Sequence, residues 1–195
     1  KAVQTVATFP QFLSWVVVSS IMINFFSYDG PVNSIITLFS QNSVNFLGNE
    51  KIFIPMLYAT EIWKTTGWYA IIYLAAIAGI NTEQYEASKI DGATRLQNIF
   101  YITLPNIFPT ISIMLILTIG NLMSAGFDQI FNLSNAAVRD VSEILDMYIY
   151  RITFQSAPDF SFSTAVSLFR AIINMILLLL ADRASKLLGG DGLVG

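Results

Sequence analysis

Glu61, Lys64, Thr65 and Trp68 are the residues of this chain whose types and spacing come nearest to doing chemistry. At i, i+3, i+4 and i+7 they fall on one face of a helix. A carboxylate, an ammonium, a hydroxyl and an indole in one stripe suit a sugar: the polar groups hydrogen-bond its hydroxyls and Trp68 offers a flat apolar face. The same residues also fit an internal Glu61–Lys64 pair that only fixes helix packing. Ionisable groups in a membrane span cost about 2.5–3.5 kcal/mol on insertion scales and therefore face a polar interior. Both readings stay open on sequence. Bond-making chemistry is disfavoured more firmly. The chain has no Cys and no His, which removes thiol and imidazole catalysis, disulfides and the usual zinc ligands. No Gly is followed by Lys, so there is no Walker-type phosphate loop. With no serine elbow and no intramembrane carboxylate pair, the expectation is no catalytic residue, no metal site and no cofactor bound by this chain.

The elements that must position this stripe are membrane helices. Of 195 residues, 54% are hydrophobic and 12% charged, about half the charge of a soluble domain at about 25%. The net charge of −3 argues against nucleic acid as a partner. Four spans are expected, over 6–26, 52–80, 107–125 and 163–181. A helix over Val6–Phe26 is about 31 Å long, enough for the hydrocarbon layer. Asp29-Gly30-Pro31 breaks the chain after it, and residues 32–51 read as an external loop with a short helix around Val32–Phe39. The polar stretch Asp128–Phe160 carries Ile144, Leu145, Tyr148, Ile149 and Ile152 at helical spacing, so an amphipathic helix is expected there, with Asp146 and Tyr150 on its solvated side. The fold class is all-α, a polytopic transmembrane helical bundle, in one domain over 1–195. Thr118, Asn121 and Ala125 on the third span, and Trp15, Ser19 and Asn24 on the first, form further small or polar faces. Such faces serve close helix packing or line a pathway.

Between the second and third spans lies a charged island, Glu86-Ala-Ser-Lys-Ile-Asp-Gly-Ala-Thr-Arg-Leu-Gln-Asn-Ile-Phe-Tyr-Ile-Thr-Leu-Pro105. Asn81 is placed to cap a helix, with Gln84 reaching back to it as in a capping box. That helix is expected to stop at Gly92, where a left-handed backbone costs least. A second helix follows, with Leu96, Ile99, Phe100 and Leu104 on one side and Arg95, Gln97 and Asn98 on the other. Pro105 and Pro109 are expected to close it and open the next span. Helix, glycine turn and amphipathic helix between two spans describe a docking lever. For Glu86 alone, a solvated helix charge is the plainer explanation.

The pattern Glu86-Ala87-Ser88, Gly92, Ile102-x-Leu104-Pro105, with Asp91 and Ala93 beside the glycine, resembles the EAA loop of importer-type ABC-transporter permeases. Ser88 stands in place of the second alanine. From Phe9-Pro10 to Leu188-Gly189-Gly190 the chain resembles the oligosaccharide-uptake branch of that family. The resemblance implies a permease fold with a cytoplasmic coupling helix, here within 82–106, that sits in a cleft of an ATP-binding subunit. Glu86 would pair with a basic residue of that subunit, Ala87 and Ser88 would allow close approach, and Gly92 would supply the bend. It also implies that Glu61, Lys64, Thr65 and Trp68 lie along the substrate path. ATP and Mg would belong to the partner subunits. Such permeases usually have six spans, so about two more are expected before Lys1.

The implied partners are a second permease subunit, two ATP-binding cassette subunits, an extracytoplasmic solute-binding protein, a carbohydrate substrate and the lipid bilayer. Lys1, Lys89, Arg95, Arg183 and Lys186 fall on one side of the membrane and Lys51, Arg139 and Arg151 on the other. The positive-inside rule then puts the 82–106 loop and the C-terminus in the cytoplasm of a bacterial cell. The expected function is import of an oligosaccharide by alternating access. An amino-acid or peptide permease, or an ion-coupled carrier with Glu61 as its charge relay, remains the alternative.

Overall fold

The computed structural model describes residues 2–40, 42–124, 126–155 and 159–187. Ala125, Lys1 and the Leu188-Gly189-Gly190 tail lie outside them. Among the described residues every regular element is helical. In chain order these are α1 (Ala2–Thr8) with a 3-10 turn (Phe9–Phe12), α2 (Trp15–Phe26), α3 (Pro31–Phe39), α4 (Glu50–Ala78), α5 (Thr82–Ile90), α6 (Arg95–Gly120), α7 (Phe127–Leu133), α8 (Arg139–Ser142), α9 (Leu145–Tyr150) and α10 (Phe160–Leu187). By length and composition α6 and α10 can cross a membrane, and a third span exists if Val3–Phe12 and Trp15–Phe39 count as one bent pair. α4 has the length, 29 residues, but Glu61 and Lys64 interrupt its apolar run.

The chain divides into two compact units, one from the described parts of Lys1–Trp68 and Ser124–Val166, the other from those of Tyr69–Met123 and Ser167–Gly195. The core of the first is Phe53, Met56 and Leu57 of α4 against Ile130, Leu133 and Val138. Gln129 is buried beside it and donates from Nε2 to the Leu57 carbonyl at 2.8 Å and to the Thr60 hydroxyl at 2.7 Å. A polar side chain is stable there because its donors are met. Asn33 plays the same part between α2 and the following loop. It donates to the Ser27 and Val44 carbonyls, both at 2.9 Å, and accepts from the Val44 N–H at 2.8 Å. In the second unit the Asn174 side chain of α10 donates to the Gly120 carbonyl at the end of α6.

Three expectations change. The helix over Val6–Phe26 is two helices bent by 105°. Leu13 and Ser14 are both extended, and the Ser14 hydroxyl restarts the chain as N-cap of α2 by accepting from Val17 N–H at 3.4 Å. The helix expected over 107–125 ends at Gly120. Pro105 and Pro109 do not close the amphipathic helix before it, which runs on as one 26-residue helix, α6. Ile99–Thr103 is a π-turn whose wider coil makes room for the Pro105 ring. Carbonyls displaced there are taken up locally, Asn98 by the Thr103 hydroxyl at 3.3 Å and Ile102 by the Asn106 amide at 2.7 Å.

α1 crosses α4 at Gly67, where an added Cβ would sit 2.0 Å from the Ala7 carbonyl oxygen. Backbone cannot yield as a side-chain tip does. Gly67→Ala is therefore expected to push α1 off α4 and destabilise the protein by about 1–3 kcal/mol, measured as a lower melting temperature in detergent. Gly79→Ala, whose nearest contact is an ordinary 3.5 Å, serves as the comparison and should melt near wild type.

Candidate functional site

The 82–106 segment forms an elbow of two helices. Asn81 caps α5, accepting from Glu83 N–H at 3.0 Å. Gln84 does not reach back to it. Its Oε1 accepts instead from Asn106 of α6 at 2.9 Å, a contact no local spacing rule announces. α5 ends in a Schellman motif. Gly92 has φ +76°, its N–H donates to Lys89 O at 3.2 Å, and Ala93 N–H donates to Ser88 O at 2.9 Å. The Ala93 bond needs the left-handed residue, which is why glycine stands at this position.

The chain turns directly into a capping box. Gln97 N–H donates to the Thr94 hydroxyl at 3.4 Å, and Thr94 N–H donates to Gln97 Oε1 at 2.7 Å. Thr94-Arg-Leu-Gln97 has the sequence signature of this box, and the capping box stands at this helix start and not at Asn81. The elbow is tied back by a 2.8 Å hydrogen bond between the Tyr85 and Thr103 hydroxyls. Glu86, Ala87, Asp91 and Gly92 are exposed, Ser88 is half-buried and donates to Tyr85 O at 2.9 Å, and Ile90 is 88% exposed. Ala93 and Ile102 are half-buried, while Leu104 and Pro105 are exposed. The acid, the small residue and the isoleucine of α5 thus face outward while its tyrosine and Gln84 hold the helix to α6.

The α4 stripe is arranged otherwise than as an ion pair. Lys64 is 7% exposed. Its ammonium donates to the Gln11 carbonyl at 3.1 Å and lies 5.4 Å from the Trp15 ring centroid. Gln11 sits in the last turn before the α1–α2 break, where helix carbonyls lack intrahelical donors and carry the negative end of the dipole. Lys64 therefore caps the broken helix. Trp68 is 41% exposed and meets Phe12 edge-on at 6.2 Å. Glu61 is exposed. Thr65 is half-buried and donates to Glu61 O at 2.8 Å. Trp15, Lys64, Phe12 and Trp68 come together around the break. Ser19 is buried and its hydroxyl has no partner among the described residues. In the second unit Thr118 and Asn121 are exposed and back-bonded to their own helix, at 2.8 Å to Met114 O and 3.1 Å to Leu117 O. Sequence alone did not single out Gln11, because what matters there is a backbone carbonyl.

Residues 1–189 match the family described as binding-protein-dependent transport system inner membrane component. The chain belongs to this family. It is 42% identical over 194 residues to the polygalacturonan/rhamnogalacturonan transport system permease protein YteP of Bacillus subtilis (strain 168), covering 99% of this chain and 60% of that one. Against the lactose transport system permease protein LacF of Rhizobium radiobacter, identity is 29% over 188 residues, 94% of this chain and 62% of the relative. The chain thus spans about 60% of the length of these curated relatives. The fold matches a bacterial ABC transporter that imports the acidic polysaccharide alginate, with TM-score 0.89 and 36% identity over 95% of this chain and 65% of that one. A complex of the bacterial alginate transporter with its alginate pentasaccharide-bound periplasmic protein matches at TM-score 0.92 and 35% identity, over 98% and 67% of the two chains.

In this member of the inner-membrane component family the elbow rests on two small local motifs, and each can be removed singly. Gly92→Ala opposes the positive φ and costs about 1–2 kcal/mol. Gln97→Ala removes half of the capping box, about 1 kcal/mol. Both are expected to speed amide hydrogen exchange from Ala93 to Asn98 while leaving Ile107–Ile116 protected as in wild type.

Proposed function

We propose that this chain is the permease subunit of an ATP-driven ABC importer, and that its substrate is an acidic oligosaccharide delivered by an extracytoplasmic binding protein. The observation that carries the reading is the elbow: a short helix held to a spanning helix by Tyr85 and Gln84, ended by Gly92, with Glu86, Ala87 and Ile90 turned outward. That is the form of a part that takes force from a partner. The similarity to an alginate importer and to a polygalacturonan/rhamnogalacturonan permease supports the uronic-acid class of sugar. The amino-acid and ion-coupled alternatives gain no support from these proteins.

On this proposal, ATP and Mg bind two cassette subunits in the cytoplasm and a second permease completes the pathway. Closure of the cassettes on ATP carries each coupling helix with it. α5 passes the movement to α6 through the Tyr85–Thr103 and Gln84–Asn106 contacts, and the spans exchange an inward-open for an outward-open arrangement. The loop at 82–106 and the C-terminus lie in the cytoplasm, and Asp128–Phe160 faces outside. Trp15, Glu61, Thr65 and Trp68 serve the substrate path, with Trp68 as the aromatic platform. Lys64, buried, holds the helix break they flank. Ser19 is buried beside the same helices, and Thr118 and Asn121 are the second unit's own candidates for the path. This chain supplies pathway and lever; hydrolysis belongs to the cassettes.

Glu86→Ala is expected to remove one charge-assisted contact to the cassette subunit, about 1.5–3 kcal/mol, weakening cassette docking on the order of tenfold or more. Binding-protein-stimulated ATPase activity should fall while the binding protein's own sugar affinity is unchanged. Normal ATP-dependent uptake by a Glu86→Ala, Gly92→Leu double variant would refute the lever.

The pathway is tested at its aromatic. Trp68→Ala should lower uptake in whole cells at least about fivefold, since stacking of an apolar face is worth on the order of 1 kcal/mol or more. Trp68→Phe should retain part of it. Loss of uptake matched by loss of the purified complex would assign Trp68 to packing against Phe12.

A further inference from the structure

We propose that a cavity in the first unit, bounded by α7, α8, α9 and the π-turn Arg151–Gln155, binds one uronate residue of the substrate chain. The proposal rests on the acidic-saccharide reading of the function. It adds a contact point in a region facing the outside, away from the α4 stripe.

The cavity is about 310 Å³, at the small end of ligand pockets, which suits one sugar ring. Phe131 and Tyr150 line it, edge to face at 5.0 Å. Each is held from behind, Phe131 by Phe127 at 5.5 Å and Tyr150 by Phe154 at 5.4 Å. Phe131 nevertheless keeps 41% of its surface open. A ring fixed by neighbours, with part of its surface open, is what the C–H face of a pyranose packs on at little entropic cost.

The charge in the cavity selects the sugar. Arg151 and Glu143 both line it but neutralise each other, through a bidentate pair at 2.8 and 3.0 Å. Arg151 is further held over the Tyr148 ring at 5.7 Å. Arg139 also lines the cavity, exposed, and its guanidinium has no partner among the described residues. One net positive charge therefore remains, on the side chain best shaped to take a carboxylate through two parallel N–H bonds. The Ser134 and Tyr150 hydroxyls, likewise without partners among the described residues, are left for the sugar's own hydroxyls. A neutral sugar would meet the ring and these hydroxyls and leave Arg139 unused. The cavity is thus built to prefer the acid.

The test uses the assembled transporter in lipid nanodiscs, without its binding protein, titrated calorimetrically with trigalacturonate and with its methyl-esterified form. Wild type should bind the acid about tenfold more tightly than the ester. Arg139→Gln should abolish that preference and Arg139→Lys should restore part of it. Glu143→Gln, which frees the Arg151 guanidinium, should strengthen acid binding. Melting temperatures of the variants establish that each complex is intact. Absence of acid binding by wild type, or an acid preference unchanged in Arg139→Gln, overturns the site. Uptake of trigalacturonate by cells is scored separately. Uptake without this binding sinks the site and keeps the function, whereas binding without uptake sinks the function and keeps the site.

Discussion

A helix break in apolar surroundings leaves carbonyls and N–H groups without partners, and each must be met by the protein itself. The structure is organised around that requirement. At the α1–α2 break the freed Gln11 carbonyl is met by the Lys64 ammonium, 3.1 Å away. A buried cation and an orphan carbonyl are each costly alone, so each supports the other. The Lys64–Trp15 contact adds the attraction of a cation for an indole. α4 thereby holds the bend on one side through Lys64 and on the other through the close backbone approach at Gly67.

The same requirement recurs at other helix ends, at the π-turn and where a buried polar side chain meets a helix. Amide side chains do most of the work, since one group can give two N–H bonds and take others. Gln129 meets Leu57, Asn106 meets Ile102, Asn174 meets Gly120 and Asn33 meets two carbonyls at once. The Gln129 and Asn174 contacts join elements far apart in sequence and fix their register in a way that apolar packing alone does not. They also explain why a chain this apolar keeps so many Asn and Gln residues inside its helices.

The elbow follows from the same logic. The Schellman motif finishes α5 and the capping box starts α6 with no spare residues between them. The turn is therefore short and stiff. The Tyr85–Thr103 and Gln84–Asn106 hydrogen bonds make α5 a side arm of α6. Both contacts reach α6 at or next to its π-turn, where the coil is already widened.

Much of this was legible in the chain itself. Composition and hydropathy disclosed a helical membrane protein, because burying a charge in lipid is so costly that the apolar runs stand out. Gly92 and the spacing from Glu86 to Pro105 disclosed the elbow, because left-handed turns and helix caps are set by one or two local residues. What lay beyond the sequence was every contact between distant segments. Glu61 and Lys64 have the spacing of an ion pair, yet Lys64 turns to Gln11, fifty-three positions away, because only the folded chain puts an unmet carbonyl beside it. Gln84 has the position of a capping-box residue, yet Asn106 claims it. Pro105 has the form of a helix stop, yet the π-turn absorbs it and Thr103 and Asn106 recover the displaced bonds. Local rules state what a residue can satisfy. Tertiary structure decides which unmet group is nearest, and in a low-dielectric interior the nearest unmet group wins.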